Sequence, residues 1–401
     1  MIVPALVAPH RLDLDARWLA AALKSVARHA LLEPAAWQAR LEGSWSPDGD
    51  GLACLSVRSA FDLLLACAGW QPGDAVVFTA LNIDDMPRLV EAHGFEVRVV
   101  DVAPDTLAPD PDALARALDG RVRALVVCHP FGGDVPLDAL AAVAHARDVL
   151  VIEDAAQTFR GPQHRGHPDA DVALFSFGTL KTATALGGAL VRVRDAALRA
   201  RMAALQARWP VQPAGAYLRK VLRAGVLLAG HSARAYGCAA RALAALGVEL
   251  GDVVRTMTRG FAQTATDSWL AGLRQRPGAP LLALLAERLA AFDPGALARR
   301  AASAESVLSR LPPAARVGTG LRDPTWWLAP VQVRDPAGFR ARLRSQGFDT
   351  SAASNIAAVG AAPRARALLE RLVFLPAAAQ HPPELLRRLG DSALGALADG
   401  C

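Results

Sequence analysis

From about residue 54 the chain alternates short apolar runs, each closed by a turn or acidic residue, with longer alanine- and leucine-rich stretches at helical spacing. Ala75–Phe78, Glu96–Val100, Ala124–Cys128, Val149–Ile152, Val172–Phe175 and Ala189–Val193 are the expected strands. Alternation of this kind builds an α/β fold, a mostly parallel sheet with helices on both faces, and ligands in such folds sit at the carboxyl ends of the strands. His129, Asp154 and Ser176 fall at such ends.

Residues 195 to about 310 read as helix throughout. Within them 217–247 is strongly apolar but interrupted by Arg219, Arg223, His231, Arg234 and Arg241, which argues against a bilayer span. Two readings of that segment stand: a helical pair packed on the core or on a partner subunit, which leads, and an amphipathic surface for a membrane or lipid-like substrate. A composition break at Leu311-Pro-Pro precedes a strand-like run Thr325–Val333, a helix Pro336–Gln346 ended by Gly347, and an apolar run Leu372–Pro376. The expected organisation is a large domain over 1–255 with a helical insertion at about 200–255, connecting helices over 256–310, and a small C-terminal α+β domain over 311–401.

Composition adds exclusions. With 52% hydrophobic and 20% charged residues the chain is globular rather than disordered. The N-terminus lacks a basic, then apolar leader, and no run reaches the roughly 20 uncharged apolar residues of a membrane span, so a cytoplasmic protein is expected. The net charge of +6 comes from scattered arginines, which disfavours a nucleic-acid groove. Five widely spaced cysteines without a Cys-x-x-Cys pair indicate neither a disulfide framework nor a metal site. His164 and His167 lie on a Gly/Pro-rich loop without a carboxylate at ligand spacing and read as loop residues; no metal is expected.

The basic side chains carry the chemistry. Of 44 basic residues only Lys24, Lys181 and Lys220 are lysines. Lys181 closes Leu174-Phe-Ser-Phe-Gly-Thr-Leu-Lys181, downstream of the acid-ended run Val149-Leu-Val-Ile-Glu-Asp154 and upstream of Gly187-Gly188. This layout suits pyridoxal 5′-phosphate: the lysine amine tethers the aldehyde, Asp154 pairs with the pyridine nitrogen, and the Ser176 hydroxyl reaches the phosphate. Gln157 would reach the ring's phenolic oxygen. Ser56-Val-Arg-Ser59 precedes the helical run 60–68, so the amides of Val57, Arg58 and Ser59 would face an anion at a helix N-terminus, and the Arg58 side chain would add a charge-assisted bond.

Taken in order, Ser56, Gln71-Pro-Gly-Asp74, Gly94, Val99-Val-Asp101, Cys128-His-Pro-Phe-Gly132, Ile152-Glu-Asp-Ala-Ala-Gln157, Phe175-Ser-Phe-Gly-Thr-Leu-Lys181 and Gly187-Gly188 resemble the DegT/DnrJ/EryC1/StrS family of fold type I, pyridoxal-phosphate-dependent aminotransferases. The resemblance covers roughly residues 50 to 195. It implies amino transfer from L-glutamate or L-glutamine to a keto group on a nucleotide-linked sugar or cyclitol, in a homodimer. It also makes His129 a cofactor-proximal candidate, a satisfied core histidine being the equal alternative. The chain departs from the family pattern in four motifs and in a middle helical region longer than the family's. Ser56-Val57-Arg58 replaces the usual Ser-Gly-Thr, Ile83 stands where an aromatic residue stacks on the ring, Gly178-Thr179 replaces His-Pro, and Asp349–Asn355 replaces a Tyr/His-rich substrate loop. Other reactions on the same cofactor, such as a dehydration, and a cofactor-binding regulatory protein remain as alternatives; the dehydrating relatives tend to replace the lysine with histidine.

Overall fold

The structure is a computed structural model that describes residues 5–10, 12–258, 266–353 and 356–400. Its strands, in chain order, are β1 (Gly51–Cys54), β2 (Ala75–Thr79), β3 (Leu81–Asn82), β4 (Glu96–Val100), β5 (Val122–Cys128), β6 (Leu150–Asp154), β7 (Val172–Ser176), β8 (Ala189–Val193), β9 (Ala329–Gln332), β10 (Ser351–Ala352), β11 (Ala357–Ala358) and β12 (Leu372–Leu375). Seven form one sheet in the order β1-β8-β7-β6-β5-β2-β4. The pairs from β4 through β7 are parallel; β8 runs antiparallel to both β7 and β1. The edge strand β1, absent from the expected set, is only four residues long, Gly51-Leu-Ala-Cys54, and contains no β-branched or aromatic residue.

Side-chain alternation along these strands fills a core on each face. Val76, Phe78, Val126 and Ile152 pack with the helices Val57–Cys67, Asp85–Ala92 and Ala196–Gln206. On the other face Val77, Leu125, Val127 and Val151 meet the helices Pro111–Ala117, Asp138–His145 and Pro363–Glu370. A third cluster joins Ala53, Phe175 and Leu190 to the helices Ala16–His29, Pro34–Trp45, Ala214–Ala229 and Ala279–Ala290.

The described residues of 195–310 form a succession of separate helices rather than one continuous stretch. Pro210 and Pro213 end one run, and a short bridge pairs Val211 with Arg276. The final three-stranded sheet, β10-β12-β9, is antiparallel and is covered by the helices Pro294–Leu308, Pro336–Ser345 and Pro383–Ala398. The run Thr325–Val333 yields a strand only over Ala329–Gln332. Asp323 and Trp326 take positive φ (42° and 43°), which bends the chain before β9. Beyond β10, β11 pairs with β3 and so ties the C-terminal part to the carboxyl edge of the main sheet.

Candidate active site

A cavity of about 690 Å³ opens at the carboxyl ends of β5, β6 and β7. Lys181 enters it from the loop between β7 and β8. Its own amide donates to Gly178 O at 2.9 Å, and Thr184 Oγ1 donates to the same carbonyl at 2.7 Å. Ala183, Leu186, Gly187 and Gly188 all take positive φ, so the loop folds back sharply to present the lysine. The Lys181 Nζ lies 4.0 Å from the centre of the Trp327 ring, whose Nε1 donates to Leu180 O at 2.7 Å. Burial lowers the lysine pKa to about 8, with Arg58 acting in the same direction and Asp154 opposing.

Asp154 ends β6 directly beside Cys128. Burial raises its pKa, against a hydrogen bond from the Ala156 amide and the charge of Lys181. Cys128 also lines the cavity, and burial raises its pKa so far that it stays a thiol. Asn82 lies beside Asp154 and lowers its pKa slightly, yet its buried Nδ2 reaches no acceptor at hydrogen-bond distance. That donor is one a ligand in the cavity would satisfy. Gln157 accepts from the Phe131 amide through Oε1 at 2.8 Å, which leaves its NH2 as the group for a ligand.

The helix Val57–Cys67 starts at the cavity wall, with Ser56 as its cap. Val57 and Arg58 line the cavity, as do Ile83 and Ser176. Two expected residues do not. Ser59 is fully buried, and its amide donates to Ser56 Oγ at 3.1 Å, so the cap uses the third amide that an anion was expected to take. His129 is buried behind the wall. Its Nδ1 accepts from the Val135 amide at 3.0 Å and its Nε2 faces Glu153 at 3.0 Å, the arrangement of a satisfied core histidine. The Arg58 guanidinium departs from expectation as well, since it pairs with Asp85 at 2.6 Å. His167 meets carboxylates after all: Asp138, from a helix remote in sequence, lies at 3.3 Å, and Asp169 is its neighbour. That group lies outside the cavity, and Arg322 also holds Asp138. Ser354 and Asn355 of the substituted substrate loop lie outside the described residues.

Three lining residues escaped the sequence reading. Lys220, on the helix Ala214–Ala229, puts its Nζ beside Gly187, and burial with Arg58 and Arg223 nearby lowers its pKa to about 8. The only available signal was that lysine is scarce. Trp327 belonged to a run read as strand. Arg300 donates to Thr325 O, Thr325 Oγ1 and Thr182 Oγ1, and burial lowers its pKa to about 10. Among the described residues no carboxylate lies within ion-pair distance of it. Arginines at helical spacing give no hint of such a position.

Residues 48–234 match the DegT/DnrJ/EryC1/StrS aminotransferase family. The pleiotropic regulatory protein of Geobacillus stearothermophilus is 30% identical over 149 residues, 36% of this chain, and the match spans 40% of that relative's length. In fold the chain is similar to a putative sugar aminotransferase from Streptococcus pneumoniae in its PMP form, with a TM-score of 0.70 and 14% identity over 98% of this chain and 100% of the other. It is likewise similar to a DegT DnrJ EryC1 StrS aminotransferase from Brucella abortus, with a TM-score of 0.67 and 20% identity over 95% of each chain.

Proposed function

We propose that this chain, whose residues 48–234 match the DegT/DnrJ/EryC1/StrS aminotransferase family, is a pyridoxal-phosphate-dependent aminotransferase. Its donor is L-glutamate or L-glutamine, and its acceptor a keto group on a sugar, nucleotide-linked sugar, cyclitol or related intermediate. The observation that carries this reading is the convergence of Lys181, Asp154, Gln157, Ser176 and the first turn of the helix Val57–Cys67 on one cavity.

When bound, pyridoxal phosphate supplies an aldehyde and a ring that accepts electrons. The residues present suit it. Asp154, buried at the strand end, would pair with a protonated ring nitrogen, and that cation would offset the burial that raises the acid's pKa. Gln157 would offer its NH2 to the ring oxygen, and Ile83 would offer the ring an aliphatic rather than an aromatic surface. The Ser176 hydroxyl, the Val57 and Arg58 amides and the Lys220 ammonium, all at the cavity wall, would hold the phosphate, where the helix N-terminus favours an anion. Lys181, with its pKa near 8, is partly neutral at neutral pH. It would therefore serve as the amine that tethers the cofactor aldehyde and as the base for the α-proton of the amino acid. Trp327 lies over this lysine, its ring centre 4.0 Å from the Nζ. Arg300 supplies a charge for a substrate carboxylate. A homodimer is the assembly the family implies.

The test is the absorption spectrum of the purified protein before and after L-glutamate, with 2-oxoglutarate measured in parallel. The reading expects a visible cofactor band that is lost in Lys181→Ala, bleaches with glutamate and yields one equivalent of 2-oxoglutarate. A band that neither glutamate nor glutamine moves would overturn amino transfer. It would favour a cofactor-binding regulatory protein, a reading for which the name of the Geobacillus relative speaks.

A further inference from the structure

Between Asp195 and Glu249 the chain contains eight basic residues and no acidic one. The helix Ala214–Ala229, in the middle of that stretch, packs against the helix Ala16–His29, which also contains no acid. The two run antiparallel: the Leu12 amide meets His231 Nε2 at 3.3 Å, and a Cβ on Gly225 would sit 3.3 Å from Leu19.

Their outward positions follow helical spacing. Arg219, Leu222, Arg223 and Val226 are exposed on one helix, and Arg17, Leu23, Lys24 and Arg28 on the other. Leu222 is 56% exposed, Val226 64% and Leu23 42%, so half of each leucine and most of the valine face solvent among arginines and lysines. Two acids, Asp13 and Asp15, sit at the start of the first helix and are engaged there. Asp13 pairs with Arg288 at 3.2 Å, and Asp15 accepts from the Trp18 amide at 2.8 Å.

We propose that this two-helix face is a docking surface for a bilayer rich in anionic lipid. Basic side chains interleaved with exposed aliphatic ones, on helices lying flat at the surface, match a negatively charged headgroup layer with acyl chains beneath it. No helix among the described residues is long and apolar enough to cross a membrane, so the contact is peripheral. A second copy of the chain is the poorer occupant, because a two-fold contact would set this cationic patch against itself. The inner sides of the same helices supply Trp18, Lys220 and Ala224 to the cavity wall. Docking therefore brings the cavity rim, with Arg223, to the headgroup layer.

The experiment is co-sedimentation of the cofactor-loaded protein with vesicles of phosphatidylcholine alone and of phosphatidylcholine mixed with phosphatidylglycerol. Binding is expected to the mixed vesicles only and to weaken with added salt. At about a fivefold effect per basic residue near the surface, the triple variant Lys24→Glu/Arg28→Glu/Arg219→Glu loses at least about a hundredfold in partitioning. Leu222→Ser/Val226→Ser weakens binding without changing its preference for charge, and unchanged thermal melts show that both variants fold. No pelleting with mixed vesicles overturns the proposal, as does pelleting that the triple variant leaves unchanged. So does a dimer in sedimentation velocity that Leu222→Asp splits, because that would assign the face to a second copy.

Discussion

Replacing Lys181 by methionine in the cofactor-free protein is expected to stabilise it, by an amount that depends on pH. Burial holds the Lys181 ammonium near 8 instead of 10.5, so folding at neutral pH carries a cation to a place that disfavours charge. A displacement of roughly 2.5 units at 1.36 kcal/mol per unit makes that penalty about 3 kcal/mol. The unfolded chain keeps the proton up to 10.5 while the folded chain releases it near 8, so between these values the unfolded state binds more protons. Stability therefore climbs with pH across that window. The penalty is complete below pH 8 and disappears as pH passes 10.5. Water reaching the partly open lysine stem reduces it, and the Trp327 ring offsets on the order of 1 kcal/mol. The net gain for methionine is then about 2 kcal/mol near neutral pH and close to nil near pH 10.5. Urea unfolding of both proteins, freed of cofactor, at the two pH values measures it. A gain that does not change with pH, or a methionine variant less stable at neutral pH, would refute the placement of a desolvated lysine here.

Other outcomes follow from the same geometry. Lys220→Met should weaken capture of pyridoxal phosphate by roughly tenfold to a hundredfold, the worth of one charge-assisted hydrogen bond, and leave pyridoxal, which has no phosphate, unchanged in a fluorescence titration. Trp327→Leu removes a ring that favours the charged lysine. In competitive acetylation resolved peptide by peptide, the labelling midpoint of Lys181 should fall by up to about one pH unit; a rise would contradict the contact. Asp62, with its side chain fully buried, pairs with Arg274 at 2.9 Å and His93 at 2.8 Å. Asp62→Asn should cost on the order of 3–5 kcal/mol in chemical denaturation. The partners hold the wild-type carboxyl below its ordinary range, so that stabilisation is present above the ordinary pKa and is lost on acidification below it.

The parts of this fold that were legible in the sequence are those set by local pattern. The six strands expected in the main sheet all form, because each is a short apolar or β-branched run whose ends are fixed by a turn or an acid. Asp154, Ser176 and Lys181 could be found because their spacing is set by two adjacent strands and one tight loop. What was not legible depends on contacts between distant segments. Edge strand β1 is held by its register with β8, Lys220 is brought in by a helix that local pattern marked only as apolar, and Trp327 is aimed by two residues with positive φ. Ser59 and His129 lie behind the cavity wall for a related reason. Sequence offset places a residue near a site, but capping and burial decide which side of the wall it faces.

Gly132 takes φ of 90°, and a Cβ there would lie 2.5 Å from the Trp327 amide nitrogen and 2.9 Å from Thr325 Oγ1. The Thr325 amide donates to the Gly132 carbonyl at 2.7 Å, so the segment that roofs Lys181 rests on a bare stretch of backbone after β5. Substrate range is thus open to adjustment from a position that touches no substrate. A methyl group at residue 132 would lift the tryptophan away from the lysine, so a laboratory search for altered acceptor scope has reason to mutate this seat before the residues that face the cavity.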